Sequence, residues 1–181
     1  MANVALYTFG VLKDSYTSET LKDFSAAAPS IFTQLAATDG FISHAGNARP
    51  DLRGRYELGQ DYGPWGIYVI PRFYGDDFRS RGFSMIQTLS LWRDLDAAHR
   101  FSYGALHRAA LKRRGDWFVP HEGPGYVLWW VADGVTPTWS GGAERLEMLA
   151  DKGPTAFGFD FKHPCDEAEK QSFVDLRIVR G

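Results

Sequence analysis

The chain reads as an α+β fold: one antiparallel sheet with helices packed on one of its faces. Three observations carry that reading. Strand-like and helix-like stretches alternate along the chain instead of segregating. The apolar period switches between two and about 3.6 residues. A length of 181 residues suits one domain with a proper core.

The elements follow in order. Val4 to Leu12 alternates as a strand, with Val4, Leu6 and Thr8 on one side and Ala5, Tyr7, Phe9 and Val11 on the other. Thr17 or Ser18 can cap a helix whose apolar residues are Leu21, Phe24, Ala28, Ile31 and Leu35. Pro29 falls inside that run and predicts a kink or two shorter helices. Asp39-Gly40 ends it, and Phe41 to Ala45 is a second strand. Asn47 to Gly82 is rich in Gly, Pro, Arg and Asp, with a strand expected at Gly66 to Ile70. A structureless loop of that length is uncommon, so this stretch is expected to pack over something. Ser84 to Trp92 is the clearest strand. Asp94 opens a helical region that Gly104 can split and that ends near Arg114-Gly115. Tyr126 to Val131 is the last core strand, and Ser140 to Ala150 is a helix. Phe173 to Val179 has strand character and reads as an arm reaching a partner.

This order is β-α-β, insertion, β-α-β, the split arrangement of the ferredoxin-like fold. It gives a single domain, with core 1–46 and 84–161, an insertion at 47–83 and a C-terminal extension at 162–181. Such a sheet carries helices on one face only, so its other face needs a cover, and a second copy of the sheet is a natural one. On the third strand, Met85, Gln87, Leu89 and Leu91 share one face; Ile86, Thr88, Ser90 and Trp92 share the other. The second set mixes hydroxyls with a Trp, and we expect it to look into the space between sheet and cover.

Composition removes several functions. Lys and Arg total 20 against 22 Asp and Glu, a net charge of −2, so there is no basic excess to hold a nucleic acid. A lone Cys165 supports neither a disulfide framework nor a thiolate zinc site. No apolar run reaches the roughly 20 residues of a membrane span. Met1 to Tyr7 lacks a basic stretch ahead of an apolar one, so no secretion signal and a cytoplasmic location are expected. Phosphate-loop and Gly-x-Ser-x-Gly patterns are absent. By contrast, Phe, Trp and Tyr number 13, 6 and 8, enough to line a pocket for a flat organic molecule as well as to fill a core.

The stretches Leu89-Ser90-Leu91-Trp92, Phe101-Ser102-Tyr103, His107-Arg108, Arg113 to Phe118 and Tyr126 to Val131 resemble the domain of unknown function family 3291. Ala143 to Glu147 and Gly153-Pro154-Thr155, with Phe157 and Phe159, fit it too, and the likeness is strongest over about residues 84–161. That family lies in the dimeric α+β barrel superfamily, with antibiotic-biosynthesis monooxygenases, haem-degrading monooxygenases and small lyases and isomerases. The resemblance implies a homodimer. In haem-degrading relatives a His on the matching helix binds iron, and His107 holds that position.

Among the residues that can carry chemistry, His107 comes first. His99, Tyr103 and His107 fall at i, i+4 and i+8, a stripe at the margin of the apolar side of one helix. A His there can move a proton near neutral pH, and a Tyr can hold an oxyanion. His121, in the loop before the last strand, can act as a base at a pocket mouth; no His-Glu-x-x-His spacing supports a metal. Trp92, Trp117 and Trp130 are expected walls, with Ile86, Thr88, Ser90, His99 and Arg114 as further contacts. Trp129 and Trp130 must point to opposite faces of their strand. The expectation is a natural-product tailoring enzyme acting on a flat, mainly apolar substrate without nucleotide or metal: an isomerase, cyclase, lyase or monooxygenase. The alternatives are a haem protein with His107 as axial ligand and a non-catalytic ligand-binding dimer.

Overall fold

The computed structural model describes residues 2–48 and 57–167. The expected strand at Phe173 to Val179 lies outside them. Strand β1 (Asn3–Leu12) is followed by helix α1 (Lys22–Ala37) and strand β2 (Phe41–His44). The insertion contains a short helix α2 (Asp76–Ser80) and leads to strand β3 (Met85–Trp92). Helices α3 (Leu95–Ser102), α4 (Ala105–Lys112) and α5 (Arg114–Trp117) come next, then strands β4 (Phe118–Val119) and β5 (Tyr126–Val131) and helix α6 (Trp139–Lys152).

The sheet is antiparallel with order β2-β3-β1-β5, and β4 extends the β5 edge at the end of β1. This is the ferredoxin-like pairing that the element order predicts. Asp94 starts α3 as expected, accepting from the Ala97 amide at 2.7 Å; Thr138 caps α6, accepting from Gly141 at 3.1 Å; Ser18, expected to cap the first helix, makes no side-chain cap bond. Gly40 turns α1 into β2 at a φ of +88°, where a side chain would also strike the Ala97 methyl. Two expectations fail locally. Pro29 leaves α1 unbroken, because it is exposed and water can take the carbonyl it deprives of a partner. Gly66 to Ile70 forms no strand; it makes a single bridge, Asp61 to Ile67, and its apolar side chains serve packing instead.

The two faces of the sheet differ. Val4, Leu6, Trp92 and Leu128 face a helical layer of Leu35, Ala97, Ala98 and Phe101. Ala5, Tyr7, Phe9, Leu89, Leu91, Val127 and Trp129 face Tyr62, Trp65, Tyr68 and Phe73 of the insertion and Trp139, Leu146 and Leu149 of α6. The cover over the second face is therefore the chain's own insertion, and no second copy is needed to bury it. The space expected between two sheets is occupied by side chains of the insertion and α6.

A buried amide fastens that cover. Gln87, fully buried in the middle of β3, accepts from the Tyr7 hydroxyl and donates to the Tyr68 hydroxyl at 2.9 Å and the Val69 carbonyl at 3.2 Å. Gly142 lets α6 approach the Tyr7 ring, where a Cβ would come within 2.8 Å. Arg72 ties the insertion to α6 from outside through the Asp151 carboxylate, and its amide donates to Glu147 at 2.8 Å. Replacing Gln87 by Leu removes its bonds to the Tyr7 and Tyr68 hydroxyls and the Val69 carbonyl, and a buried polar group that loses its partner costs about 1–3 kcal/mol. Q87L is expected to lower the urea midpoint strongly and to expose the insertion to proteolysis; an unchanged midpoint would refute this role.

Candidate functional site

The sequence-selected residues fall into separate places. Ile86, Thr88, Ser90, Trp92 and Trp130 do share one face, but it is the helix-covered face and not the one under the insertion. Trp92 and Ser90 there belong to the core. The Trp92 indole donates to the Ser90 hydroxyl at 2.9 Å, which donates to the Leu6 carbonyl at 3.3 Å, and the ring stacks on Phe101. Trp117 lies in another cluster with Leu12 and Leu21, beneath the Arg113 guanidinium. Arg114 is exposed. Trp130 is half-buried and donates to the Cys165 carbonyl at 2.7 Å.

The three expected catalytic residues are also divided. His121 packs edge-on to Phe9, with ring centroids 4.8 Å apart, and stacks on Phe73, so it sits with the insertion face. His107 packs on Phe101 at 5.1 Å, on the helical side. The sheet separates them. The stripe of His99, Tyr103 and His107 is broken as well, because α3 ends before Tyr103 and α4 restarts after Gly104. Glycine suits the break: a Cβ on Gly104 would lie 2.9 Å from the Arg100 carbonyl and 3.4 Å from the Gln34 amide. His99 stays beside Tyr103, at 4.6 Å, and is exposed.

What the fold does assemble lies between the helices and the sheet. Helix α4 has no buried residue, although it sits in the covering layer. Gly104 is its cap, and His107 and Ala110 are its least exposed side chains, so its inner side carries little bulk. The helix-covered face of the sheet carries a polar row of its own. Thr8 pairs with Thr88 on one side and Tyr126 on the other, a row of three hydroxyl residues across β3, β1 and β5. All three are only half-buried, as is Ile86, whereas Tyr7, Gln87 and Leu89 on the opposite face are sealed. The Phe118 ring fills the space over Gly10 and bounds the row at that end. On the outer side, a groove of about 280 Å³ runs between α1 and α4, lined by Ala27, Ile31, Leu106 and Ala110 among others.

Several polar atoms here lack protein partners or share them. His107 Nδ1 and Gln34 Oε1 are buried without a hydrogen-bond partner. Burial holds the His107 imidazole below its ordinary pKa, offset in part by the Phe101 carbonyl. The Thr8 and Thr88 hydroxyls lie 2.7 Å apart. The Tyr126 hydroxyl accepts from the Phe161 amide at 3.3 Å and interacts with Tyr103; burial pushes its pKa upward. Thr8, Gln34 and Tyr126 were not selected from sequence as site residues. Their signal is a polar side chain at an apolar-period position: Thr8 after Val4 and Leu6, Gln34 between Ile31 and Leu35, Tyr126 before Leu128.

A haem fits these residues poorly. Phe101 crowds the imidazole that has to serve as axial ligand, and Arg113, the cation lining the groove, is already shared by Asp23 and Asp116. Its propionates would need such a cation. Among the described residues, no three His, Cys, Asp or Glu side chains gather in a metal-binding group. No described helix is long and apolar enough to cross a membrane.

Burial lowers the pKa of His44, His107 and His121, with the Arg114 charge adding to the effect at His121. His44 Nδ1 accepts from the Gly46 amide at 3.0 Å, which requires the neutral ring. The folded state thus binds fewer protons than the unfolded chain just below pH about 6.5. Stability is expected to fall as pH drops through that value, and to level off below the folded-state pKa values. Urea unfolding between pH 7.5 and 5 checks this. His107→Gln is expected to flatten the slope, and a midpoint that rises on acidification would contradict the assignment.

No curated protein and no solved structure matches the chain. One family model does, over residues 3–174, which takes in the core, the insertion and part of the C-terminal extension. With nearly the whole chain aligned to it, this protein belongs to the domain of unknown function family DUF3291.

Proposed function

We propose that this protein is a small-molecule enzyme of the natural-product tailoring kind. It works in the space between the helical layer and the sheet, with His107 as the group that moves a proton. The observation that carries this reading is the His107 imidazole, whose Nδ1 is buried without a hydrogen-bond partner beside the Phe101 ring on the helical side of the sheet.

The chemistry follows from the environment. Burial keeps the imidazole neutral at pH 7, so it can accept a proton from a weakly acidic carbon or hydroxyl of the substrate. The same ring can return the proton at another atom, which completes an isomerisation or cyclisation with no oxidant, nucleotide or metal. Tyr126 and Tyr103 offer hydroxyls to the oxygen where negative charge develops. Enclosure by Phe101, Phe118 and α1 excludes water and orients the substrate. Trp92 and Trp117 act behind this site as packing, and His121 takes no part. Every group comes from one chain, so the expected homodimer is not required by the chemistry, and activity per chain is expected to survive dilution.

A flat, enolisable ketone tests the reading. Wild-type protein is expected to speed hydrogen–deuterium exchange at C1 of 2-tetralone above the buffer rate, with a rate that rises with pH through the His107 titration. His107→Gln is expected to lose about 10²-fold or more of that acceleration. Exchange at the buffer rate, or an undiminished rate in a folded H107Q, would defeat the proposal.

A further inference from the structure

Helices α1 and α4 approach each other at their two ends and leave a gap in the middle. At one end the Arg113 guanidinium donates to the Asp23 carboxylate at 3.0 Å. At the other, the Gln34 amide stands 3.4 Å from the place where a side chain on Gly104 would start. The start of α1 therefore meets the end of α4, and the two helices run antiparallel. Between these ends lies the groove of about 280 Å³, walled in its middle by Ala27 of α1 and by Ala109 and Ala110 of α4. Packed helices ordinarily interlock ridges of side chains at such positions. Here alanines leave the space unfilled, with Ile31 and Leu106 beside it, and Leu106 is half exposed. Contacts at both ends set the helix spacing, so the gap is part of the folded shape.

The charges around the groove define what suits it. Helix α1 carries no charged residue from Phe24 to Ala37, although Ala26, Pro29, Phe32 and Thr33 are exposed. A surface helix ordinarily turns charged residues to water, so an uncharged rim departs from the usual pattern. Arg113 is the cation of the lining. It also donates to Asp116 at 3.2 Å and lies over the Trp117 ring, so its charge is met from within the chain. Ser30 is the other polar residue there, and the lining holds no carboxylate. A ligand carboxylate thus finds the cation engaged, and a ligand ammonium finds no partner. An uncharged apolar molecule loses nothing by this and removes Ala, Ile, Leu and Trp surface from water. The volume lies at the small end of ligand sites, which run from about 300 to 1,000 Å³, and limits the occupant to monocyclic or bicyclic size.

From this arrangement we infer that the groove between α1 and α4 is a binding site for a small, uncharged, apolar ring molecule. The site stands apart from the helix–sheet space and does not depend on the reaction proposed there. Its determinants are the alanines, because a larger side chain at either Ala27 or Ala109 takes the place of the ligand.

Indole, indole-3-acetate and tryptamine share a ring system and differ in charge. Each is titrated at pH 7 into the full-length protein and followed by amide chemical shifts. Indole is expected to bind with shifts at Ala27, Ile31, Leu106 and Ala109, and the two charged probes at least fivefold more weakly. Ala27→Leu and Ala109→Leu are expected to weaken indole at least tenfold. Both should keep or raise the urea midpoint, because leucine is a strong helix former and fills open space. Ala26→Leu, on the exposed side of α1, is the control and should leave binding unchanged. Undiminished indole binding in a folded A27L or A109L overturns the assignment. So do shifts confined to other parts of the chain, equal or tighter binding of a charged probe, and the absence of any saturable shift.

Discussion

The Gln87 amide decides how this molecule is organised. It lies in the middle of a central strand, out of reach of water, and its hydrogen bonds are met by Tyr7 from the neighbouring strand and by Tyr68 and Val69 from the insertion. A buried amide left unpaired is costly, so the sheet and the insertion can pack only in an arrangement that satisfies it. Apolar burial of Tyr62, Trp65 and Trp139 supplies much of the driving force, but that force is nondirectional. The Gln87 contacts give it direction, and the Arg72–Asp151 pair adds an exposed tie of small worth.

A sealed face on one side shifts any chemistry to the other. A ferredoxin-like sheet with an open second face invites a partner sheet there. In this chain the same surface is occupied by aromatic side chains from the insertion and α6. The helical layer opposite is looser for a reason that can be named. Helix α4 buries no residue, its least exposed side chains being His107 and Ala110, and α1 buries only Leu35. Small and polar residues at inner positions forgo apolar burial, and that loss is typical of places where function is favoured over packing.

Much of the architecture is legible in the residues. The alternation in β1, β3 and β5, the cap Asp94 and the turn at Gly40 are local features, and each element they predict is present. The insertion between β2 and β3, and its need to pack over something, are also readable from its length. The site was less legible. Gly104 was visible as a possible helix break, but not the consequence that it parts His107 from Tyr103. The meeting of Thr8 with Thr88 joins residues eighty positions apart, and no spacing encodes that.

The sequence by itself determined which residues alternate on each strand, where helices begin, and that Trp129 and Trp130 point to opposite sides. These follow from periods of two and 3.6 and from short-range hydrogen bonding. Only the tertiary structure decided which side of β3 meets the helices and which meets the insertion. Alternation is symmetric under exchange of the two faces, so it specifies partners on a face without specifying what covers that face. Contacts across the chain break the symmetry: Tyr7, Gln87 and Tyr68 meet on one side, and Trp92 and Phe101 on the other.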